Sequence, residues 1–445
     1  MRRLRPHSRK PRAGFLALWL ALALTAGADE PWTLERALDY AQSHNPDARI
    51  AQQRIAAAQA GLEQADSAFW PRLQVQSSYI RTDNPMLVFG SILNQQAYNS
   101  SLNFNDVPNV DDLNARGIVT LPLYAGGKNS ASRQAARANA EAAKLDAAAI
   151  RNALGFEVSR AFYTVLKTRQ FIAAAEAAVN SYSSNLVVAQ RRMDAGSLLK
   201  SDVLDIEVRQ AQSREDLIRA HNANILAIRA LRNLLGIEEG AFTVTDTAPV
   251  VSVPCAGDFS QRPELAAAGE RASAAQANVR VSKSGYQPRL SAFGSLEHDY
   301  GWETDGGGNS YTAGVMVQWD LWDGFLTRAK TREAQANLES AREEQRKVRL
   351  AVDLEVEQAR LDLNAANERL DVSRKAVEQA EESATLTRNR FDQGLVLSTQ
   401  LIDSESALVA ARVRRAEAES DQRIAIAALR KALALPQLGS QTTLK

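Results

Sequence analysis

The side chains that usually carry enzyme chemistry are few in this chain, and they show no catalytic or metal-binding spacing. Neither His-Glu-x-x-His nor Gly-x-Ser-x-Gly occurs in the 445 residues. After the N-terminal region, His44, His221 and His298 form no spaced cluster, and Cys255 is the only cysteine. The sequence therefore predicts a protein that is not an enzyme, with no metal site and no cofactor.

Three carboxylates stand just after two matching glycine turns. Asp202, Asp205 and Asp403 each follow closely after a glycine turn, at Gly196 and at Gly394. An acid in the first turn of a helix offsets the positive end of the helix dipole. A glycine supplies the left-handed residue that commonly ends a helix. The residues alone therefore support a structural role for all five positions.

The first 28 residues are predicted to be a secretory signal peptide. Six of the first twelve residues are basic, and the 28 residues include no acid. An apolar run follows at Phe15 to Leu24, and the segment ends in Ala26-Gly27-Ala28. A membrane anchor is the alternative, but the apolar run is shorter than the roughly 20 residues that a spanning helix needs. We therefore expect an exported protein whose mature chain starts near Asp29.

Beyond the signal the chain is mildly acidic. Removing the six basic residues of the signal from the total leaves 47 basic side chains against 52 acidic ones. Nucleic-acid-binding proteins carry a clustered basic surface, and no basic cluster follows residue 12. No nucleic-acid partner is predicted. No later segment is long and apolar enough for a transmembrane helix, so insertion into a membrane would have to use strands.

The mature chain contains two copies of one unit. Residues from Asn45-Pro46 to Leu73 match those from Arg262-Pro263 to Leu290 at an offset of 217. From Gly126 onward the offset is 198, and it holds without a gap as far as Leu231-Arg232 and Leu429-Arg430. Such agreement is the signature of an internal duplication. The predicted divisions are a signal peptide at 1–28, a first repeat at 29–240, a linker at 241–261, a second repeat at 262–436 and a tail at 437–445.

Each repeat is predicted to hold a short helix, beginning at Pro46 in the first copy, and a long helical hairpin, at 127–236 and at 325–435. The hairpin segments are rich in Ala, Glu, Arg, Gln and Leu, which favours helix. Their apolar residues recur every 3.5 positions, which predicts left-handed supercoiling. Ser201 and Thr399 are the predicted N-caps of the second helix in each hairpin.

Four segments with alternating apolar and polar residues are predicted strands, near 71–82, 113–123, 288–298 and 310–321. One apolar and one polar face is the pattern of a membrane barrel strand. Aromatic residues cluster at the ends of these strands nearest the helices, which favours an interfacial belt over ordinary core packing. The predicted belt residues are Trp70, Tyr124, Tyr286, Trp319 and Trp322.

Four strands are too few to close a barrel, since the smallest membrane barrels have about eight. An open sheet edge cannot face lipid, so strands of several chains must combine. Three chains would give twelve strands, although the number three does not follow from the sequence alone. Two outward loops are predicted, at 81–112 and at 298–309. In the shorter loop, Gly306-Gly307-Gly308 is predicted to be a turn, because it lacks the context of a phosphate-binding loop.

These features resemble the TolC family of outer-membrane efflux and secretion channels. The resemblance lies in Asn45-Pro46 and Arg262-Pro263, in the Pro-Arg-Leu strand starts, in the segment from Leu121 to Gly127, and in the turn from Arg390 to Val396. It covers nearly all of the mature chain. One departure is Asp320, which stands where the first copy has Pro122.

The resemblance implies a mainly α-helical fold with a shared barrel. It implies a homotrimer with a twelve-stranded β-barrel in the outer membrane and a coiled-coil-like α-helical tunnel in the periplasm. The tips at Gly196 and Gly394 would contact a periplasmic adaptor that links to an inner-membrane transporter. Asp202, Asp205 and Asp403 would line the closed inner end of the tunnel, and the whole would act as a passive exit channel. Gln400 and Val396 stand where the family often has an acid and a base, which would thin the closure network.

Two other hypotheses remain open at this stage. One is a secreted or periplasmic coiled-coil scaffold without a pore, whose four alternating segments would be soluble sheet or loop. The other is a heavy-metal channel, although the three histidines form no cluster. The sequence does not distinguish drug, metal, dye or protein cargo.

Overall fold

The computed structural model describes residues 31–103, 105–239, 242–245 and 259–438. The predicted signal peptide, most of the predicted linker and most of the predicted tail lie outside the described residues. The described helices are α1 Leu34–His44, α2 Pro46–Asp66, α3 Pro85–Asn94, α4 Lys128–Asp194, α5 Lys200–Leu235, α6 Pro263–Lys283, α7 Leu326–Asp392 and α8 Ser398–Ala432. The described strands are β1 Arg72–Thr82, β2 Val110–Ala125, β3 Arg289–Gly301 and β4 Gly306–Gln318.

The duplication is visible in the helices. Helices α2 and α6 each have 21 residues, and α4 and α7 each have 67. A 67-residue helix is roughly 100 Å long at 1.5 Å per residue. The prediction of two tandem copies, each with two strands and a long helical hairpin, is confirmed.

The predicted heptad positions form the contact between the two helices of each hairpin. In α7, Val352, Val356, Leu363 and Leu370 are all buried. The corresponding stripe of α4 includes buried Leu154, Val158 and Val165, which belong to a core shared with α1 and α5. Burial of a continuous apolar stripe is what stabilises helices of this length.

The start of α2 follows the predicted capping. Asn45 Oδ1 accepts hydrogen bonds from the N–H groups of Asp47 at 2.7 Å and Ala48 at 3.3 Å, and Pro46 is the first helical residue. The predicted N-caps of α5 and α8 are wrong. Both helices begin earlier, so that Leu199 and Leu397 are the capping residues and Ser201 and Thr399 lie inside the first turn.

The four strands form one antiparallel sheet in the order β1-β2-β3-β4. Residues directly opposite each other share a face of the sheet. The register pairs Leu73 with Val119, Gly117 with Leu296, and Leu296 with Tyr311. The apolar stripes of all four strands therefore lie on one face. Strands β1 and β4 are the two edges of the sheet.

The predicted outward loops differ from the structure. Strand β3 continues to Gly301 and β4 begins at Gly306, so the prediction of a loop at 298–309 is wrong. The glycine run is not the turn itself. A Cβ on Gly308 would collide with the main-chain oxygen of Asn94 at the end of α3, so the glycines allow α3 to approach the strand. The longer loop contains α3, which was not predicted.

Helix α1 was also not predicted. Thr33 caps it, and its buried residues Leu34, Ala37 and Leu38 join a core that includes α4 and the end of α5. Trp32, just before it, forms a parallel bridge with Val244. This core joins the N-terminal segment to the middle of the long hairpin.

Candidate functional site

The two hairpin tips are closed by matching turns. Gly196 and Gly394 have φ angles of 71° and 77°, in the left-handed region. The N–H of Ser197 donates to the carbonyl of Arg192, and that of Leu395 donates to the carbonyl of Arg390, both at 2.9 Å. These bonds satisfy carbonyls that the helix end leaves unpaired.

One arginine joins the two tips. Arg192 Nη1 donates to the main-chain oxygen of Phe391 at 2.6 Å, and its guanidinium lies 4.9 Å from the centre of the Phe391 ring. Arg192 Nη2 also donates to the carbonyl of Ser197 at 3.4 Å. A Cβ on Gly394 would lie 3.3 Å from this Nη2. The tip of the second hairpin therefore packs against the Arg192 side chain of the first.

Asp202 lies between the tips and is half-buried. Its Oδ1 accepts from Ser398 Oγ at 2.6 Å, and its Oδ2 accepts from the N–H of Leu199 at 3.3 Å. The second bond satisfies a free N–H at the start of α5. The first bond holds α5 of one repeat to α8 of the other. Its counterpart in the second repeat is Gln400, which has no carboxylate.

Asp205 and Asp403 hold equivalent positions on α5 and α8, and both are exposed. The structure therefore separates the three predicted aspartates into two kinds. Asp202 is engaged in a contact between the repeats, while Asp205 and Asp403 present their charges to solvent in the single chain.

A buried carboxylate near the tip was missed in the sequence. Glu405 is 2% exposed, and it accepts from Arg388 Nη2 at 3.0 Å and from Asn185 Nδ2 at 3.4 Å. Hydrogen bonding to Glu405 raises the pKa of the Arg388 guanidinium. Three helices, α4, α7 and α8, meet at this carboxylate. The signal for it was available, because Glu405 lies in the apolar spacing between Leu401 and Leu408.

Next to it, Tyr182 OH lies 3.0 Å from Ser406 Oγ. Tyr182 is 5% exposed and belongs to the core cluster at the tips, together with Ile206, Phe391 and Leu401. Desolvation raises the pKa of Tyr182. The tips are thus held by a small apolar core with a few buried polar contacts between the repeats.

The five predicted belt aromatics lie together at the helix-proximal end of the sheet, and all are exposed. Trp319 Nε1 donates to the main-chain oxygen of Tyr286 at 3.2 Å, which joins two of them directly. The exposed fractions are 70% for Trp70, 48% for Tyr124, 51% for Tyr286, 57% for Trp319 and 73% for Trp322.

A second aromatic group at the opposite end of the strands was missed. Trp302 lies 5.8 Å from the ring centre of Tyr79 and 5.4 Å from that of Tyr300. Tyr311 lies in the middle of β4, opposite Leu296, and is 80% exposed on the apolar face between the two groups. The apolar face of the sheet therefore lies between two groups of aromatic side chains.

The other face of the sheet is polar. Arg116 Nη2 pairs with Glu297 Oε2 at 2.7 Å, and Asn114 Nδ2 donates to Asp299 Oδ1 at 2.8 Å. The apolar face carries Leu73 and Val75, which are 75% and 77% exposed. An exposed apolar face backed by a charged one fits neither a soluble core nor a two-sided solvent surface.

Within the described residues, no group of three or more His, Cys, Asp or Glu side chains is arranged to hold a metal ion. None of the described helices has the length and apolarity needed to cross a membrane.

A model of the outer membrane efflux protein family matches residues 37–237 and 259–435, one match for each repeat. The chain belongs to the outer membrane efflux protein family. Membership places it in the outer membrane, and the resemblance found in the sequence is confirmed. The channel proteins of this family include members of efflux and of secretion systems.

Named relatives agree with this membership. The chain is 24% identical over 341 residues to the outer membrane protein TolC of Vibrio cholerae, covering 72% of each chain. It is 25% identical over 211 residues to the cobalt-zinc-cadmium resistance protein CzcC of Cupriavidus metallidurans, covering 46% of this chain and half of that one. The fold matches a membrane protein from Pseudomonas aeruginosa with a TM-score of 0.80 at 20% identity, over 90% of this chain and 93% of the other.

Proposed function

We propose that the protein is the outer-membrane exit channel of a tripartite efflux or type I secretion system. It conducts cargo passively and has no enzymatic activity. Its partners in this role are a periplasmic adaptor, an inner-membrane transporter and the lipid of the outer membrane. It acts as a homotrimer with a twelve-stranded barrel and a helical tunnel.

The observation that carries the proposal is the open sheet. Among the described residues, the four strands expose an apolar face and leave β1 and β4 as unpaired edges. Lipid provides no hydrogen-bond partners for such edges, so they must pair with strands of other chains. Three sheets of four strands make a twelve-stranded closed barrel, within the range of membrane barrels.

The two aromatic groups support the orientation of the sheet in the membrane. Tyr300 of the outer group pairs with Gly307 of β4, which is twelve positions before Trp319, about 40 Å along an extended strand. A strand tilt of about 40° reduces this to about 30 Å of height, near the roughly 25 Å apolar band of membrane barrels. The group around Trp319 then marks the periplasmic interface, and the group around Trp302 marks the outer one.

The residues at the hairpin tips support the assignment of the tips to the inner end of the channel. Asp205 and Asp403 from three chains would give six exposed carboxylates around the tunnel mouth, a ring that favours cations and disfavours anions. Gly196 and Gly394 would be the positions nearest to the adaptor. Opening then requires the tips to separate, which breaks the bonds of Asp202 to Ser398 and of Arg192 to Phe391.

Membrane fractionation and gel electrophoresis with and without boiling test this function. A heat-sensitive oligomer in the outer-membrane fraction, which forms ion-conducting pores in planar bilayers, is the expected result. A monomer in the soluble periplasmic fraction would overturn the proposal and favour a coiled-coil scaffold without a pore.

A further inference from the structure

Helix α3 lies on the polar face of the sheet, at the outer end of the strands. Gly308 pairs with Asp299, whose carboxylate accepts from Asn114 on that polar face. Residues directly opposite each other share a face, so Gly308 lies on the polar face as well. A Cβ on Gly308 would collide with the main-chain oxygen of Asn94, the last residue of α3. The helix therefore covers the face that carries the charged pairs, and not the apolar face.

The helix is as long as the sheet is wide. It begins three residues after Thr82, where edge strand β1 ends, and it ends against Gly308 of edge strand β4. Its ten residues span about 15 Å, and four strands that lie about 4.8 Å apart span about 14 Å between the outer two. Along this path α3 contacts β2, β3 and β4. It thus crosses the outer end of the sheet from one edge to the other.

A single buried amide fastens the end of α3 to the strands. Gln95 is 0% exposed, and its Nε2 donates to the main-chain oxygen of Asp111 at 2.7 Å and to Asp112 Oδ1 at 2.9 Å. Its Oε1 accepts from Thr304 Oγ1 at 2.6 Å. These bonds connect the residue after α3 to the start of β2 and to the turn between β3 and β4. Loss of the Gln95 side chain would therefore free the helix from two parts of the sheet at once.

The face of α3 turned away from the sheet is apolar. Val88 and Ile92 are buried, whereas Met86 and Leu93 are 78% and 46% exposed, and no charged residue occurs in the helix. Met86, Gly90 and Leu93 have the spacing of one helical face. A glycine inside a helix is destabilising relative to alanine, and no described atom lies within 4 Å of a Cβ on Gly90. Contacts within the chain give no reason for this glycine, whereas the close approach of another helix would.

The size of the proposed barrel brings three such helices together. Its polar face lines the lumen, so each chain places one α3 on the inner wall. Twelve strands about 4.8 Å apart and tilted by about 40° enclose a backbone radius of about 12 Å. A helix with its side chains is about 10–12 Å across, so a helix on the inner wall reaches almost to the axis. The three copies therefore meet there.

We propose that three copies of α3 pack around the barrel axis and close the outer mouth of the channel with an apolar constriction. Leu93 then meets Leu93 of the partner subunit, and Gly90 allows the helices to approach closely. Lipid contacts the other face of the sheet, so it does not cover α3. A narrow apolar constriction stops water and ions by dewetting. The proposal rests on the proposed channel and adds an outer closure to the one at the tips.

Disulfide trapping tests whether the helices meet. In a Cys255→Ser background, Leu93→Cys should form covalent dimers on mild oxidation of isolated outer membranes. Thr312→Cys is the matched control, because Thr312 is exposed on the same polar face, four positions beyond Gly308. Its three copies would lie about 20 Å apart on a wall with a radius of about 12 Å, which is beyond the reach of a disulfide. Thr312→Cys should therefore stay monomeric on denaturing gels.

Access from outside the cell tests the closure independently of the tips. The probe is a maleimide on a polyethylene glycol chain too large for porins. It should label Thr312→Cys slowly, and it should label Ser100→Cys, in the exposed loop after α3, quickly. Gln95→Ala should raise the rate at Thr312→Cys roughly tenfold, a change of about 1.4 kcal/mol in the population of the open mouth. Leu93→Asn should raise this rate without removing a buried contact, and Leu93→Met should not.

The outcomes separate this proposal from the channel itself. Dimers with Leu93→Cys, none with Thr312→Cys, and labelling that Leu93→Asn accelerates support the constriction. A conducting, heat-sensitive oligomer in which Leu93→Cys forms no dimers would overturn it and leave the channel intact. Equal labelling rates for Thr312→Cys and Ser100→Cys in such an oligomer would do the same. Absence of any oligomer in the parent protein would remove both.

Discussion

The Arg262 guanidinium donates to the main-chain oxygen of Ala432 at 3.3 Å. At the matching position of the first repeat, Asn45 Nδ2 donates to the main-chain oxygen of Leu234 at 2.8 Å. The duplication has kept the connection between the start of the short helix and the end of the hairpin, with a different side chain. Arg262 adds ion pairs to Glu264 at 2.9 Å and to Glu355 at 2.6 Å, and it is 3% exposed.

Removing this arginine should destabilise the second repeat. Arg262→Ala leaves Glu355 without one of its two cationic partners and the Ala432 carbonyl without a donor, at a cost of about 2 kcal/mol, the scale of a charged hydrogen bond. Thermal unfolding of the detergent-purified protein, followed by circular dichroism, measures the loss. Arg346→Ala is the control, since Arg346 is 71% exposed and its pair with Glu343 should contribute little. Equal melting temperatures for the two variants would contradict the prediction.

The same cluster predicts a dependence on acid. Burial alone would raise the pKa of Glu355, but hydrogen bonds and charges from Lys431 and Arg262 outweigh it and lower the pKa below its ordinary value. A lowered folded pKa contributes stability above the unfolded value of about 4.3, and this stability is lost as the pH falls through the folded pKa. Unfolding measured from pH 6 to pH 3 should therefore show a loss of stability that is smaller in Glu355→Gln. A variant with the same pH dependence as the parent would refute the assignment.

The turns at the tips should differ in their tolerance of a side chain. Both glycines have positive φ, so alanine costs about 1–2 kcal/mol at either one. At Gly394 the added Cβ also meets Arg192 Nη2 at 3.3 Å, whereas nothing lies within 4 Å of a Cβ on Gly196. Gly394→Ala should therefore weaken efflux more than Gly196→Ala. Drug or dye export in cells with equal oligomer levels is the measurement, and a stronger effect at Gly196 would contradict the packing argument.

The sequence was sufficient to predict the elements whose structure depends on contacts within one repeat. The heptad stripe that includes Val356 and Leu363 predicted the hairpins, because burial of that stripe depends only on positions within one helix pair. Contacts between the repeats, such as Glu405 with Asn185, could not be placed, because periodicity does not fix how one hairpin lies against another.

The predictions of short elements failed for local reasons. Helix α3 has only ten residues inside an Asn-rich segment, although Asn84-Pro85 repeats the capping signal of Asn45-Pro46. The prediction of Ser201 as the N-cap was wrong. The Asp202 side chain accepts a hydrogen bond from the N–H of Leu199, so the helix begins earlier. The roles of the aspartates, tip glycines and belt aromatics remain predictions.

Ion selectivity should separate the two kinds of aspartate. Asp403→Asn removes an exposed charge without removing a contact of the kind that Asp202 makes, so it should lower the preference for cations at unchanged stability. Asp202→Ala also removes the bond from Ser398, so it should loosen the tips and raise conductance. Single-channel recording in planar bilayers under a salt gradient measures both quantities. Asp371→Asn, the same charge change on α7 away from the tips, should leave both unchanged. If Asp403→Asn and Asp371→Asn give equal reversal potentials, Asp403 does not line the mouth.

The orientation of the sheet in lipid can be tested with two neighbouring residues of edge strand β1. Val75 lies on the apolar face and is 77% exposed, while Gln76 lies on the opposite face. An arginine that faces lipid near the middle of the membrane costs about 2–4 kcal/mol, whereas one that faces the lumen does not pay this cost. Val75→Arg should therefore reduce the heat-sensitive oligomer in the outer-membrane fraction, and Gln76→Arg should leave its amount unchanged and alter the conductance. The reverse pattern would mean that the apolar face of the sheet does not face lipid.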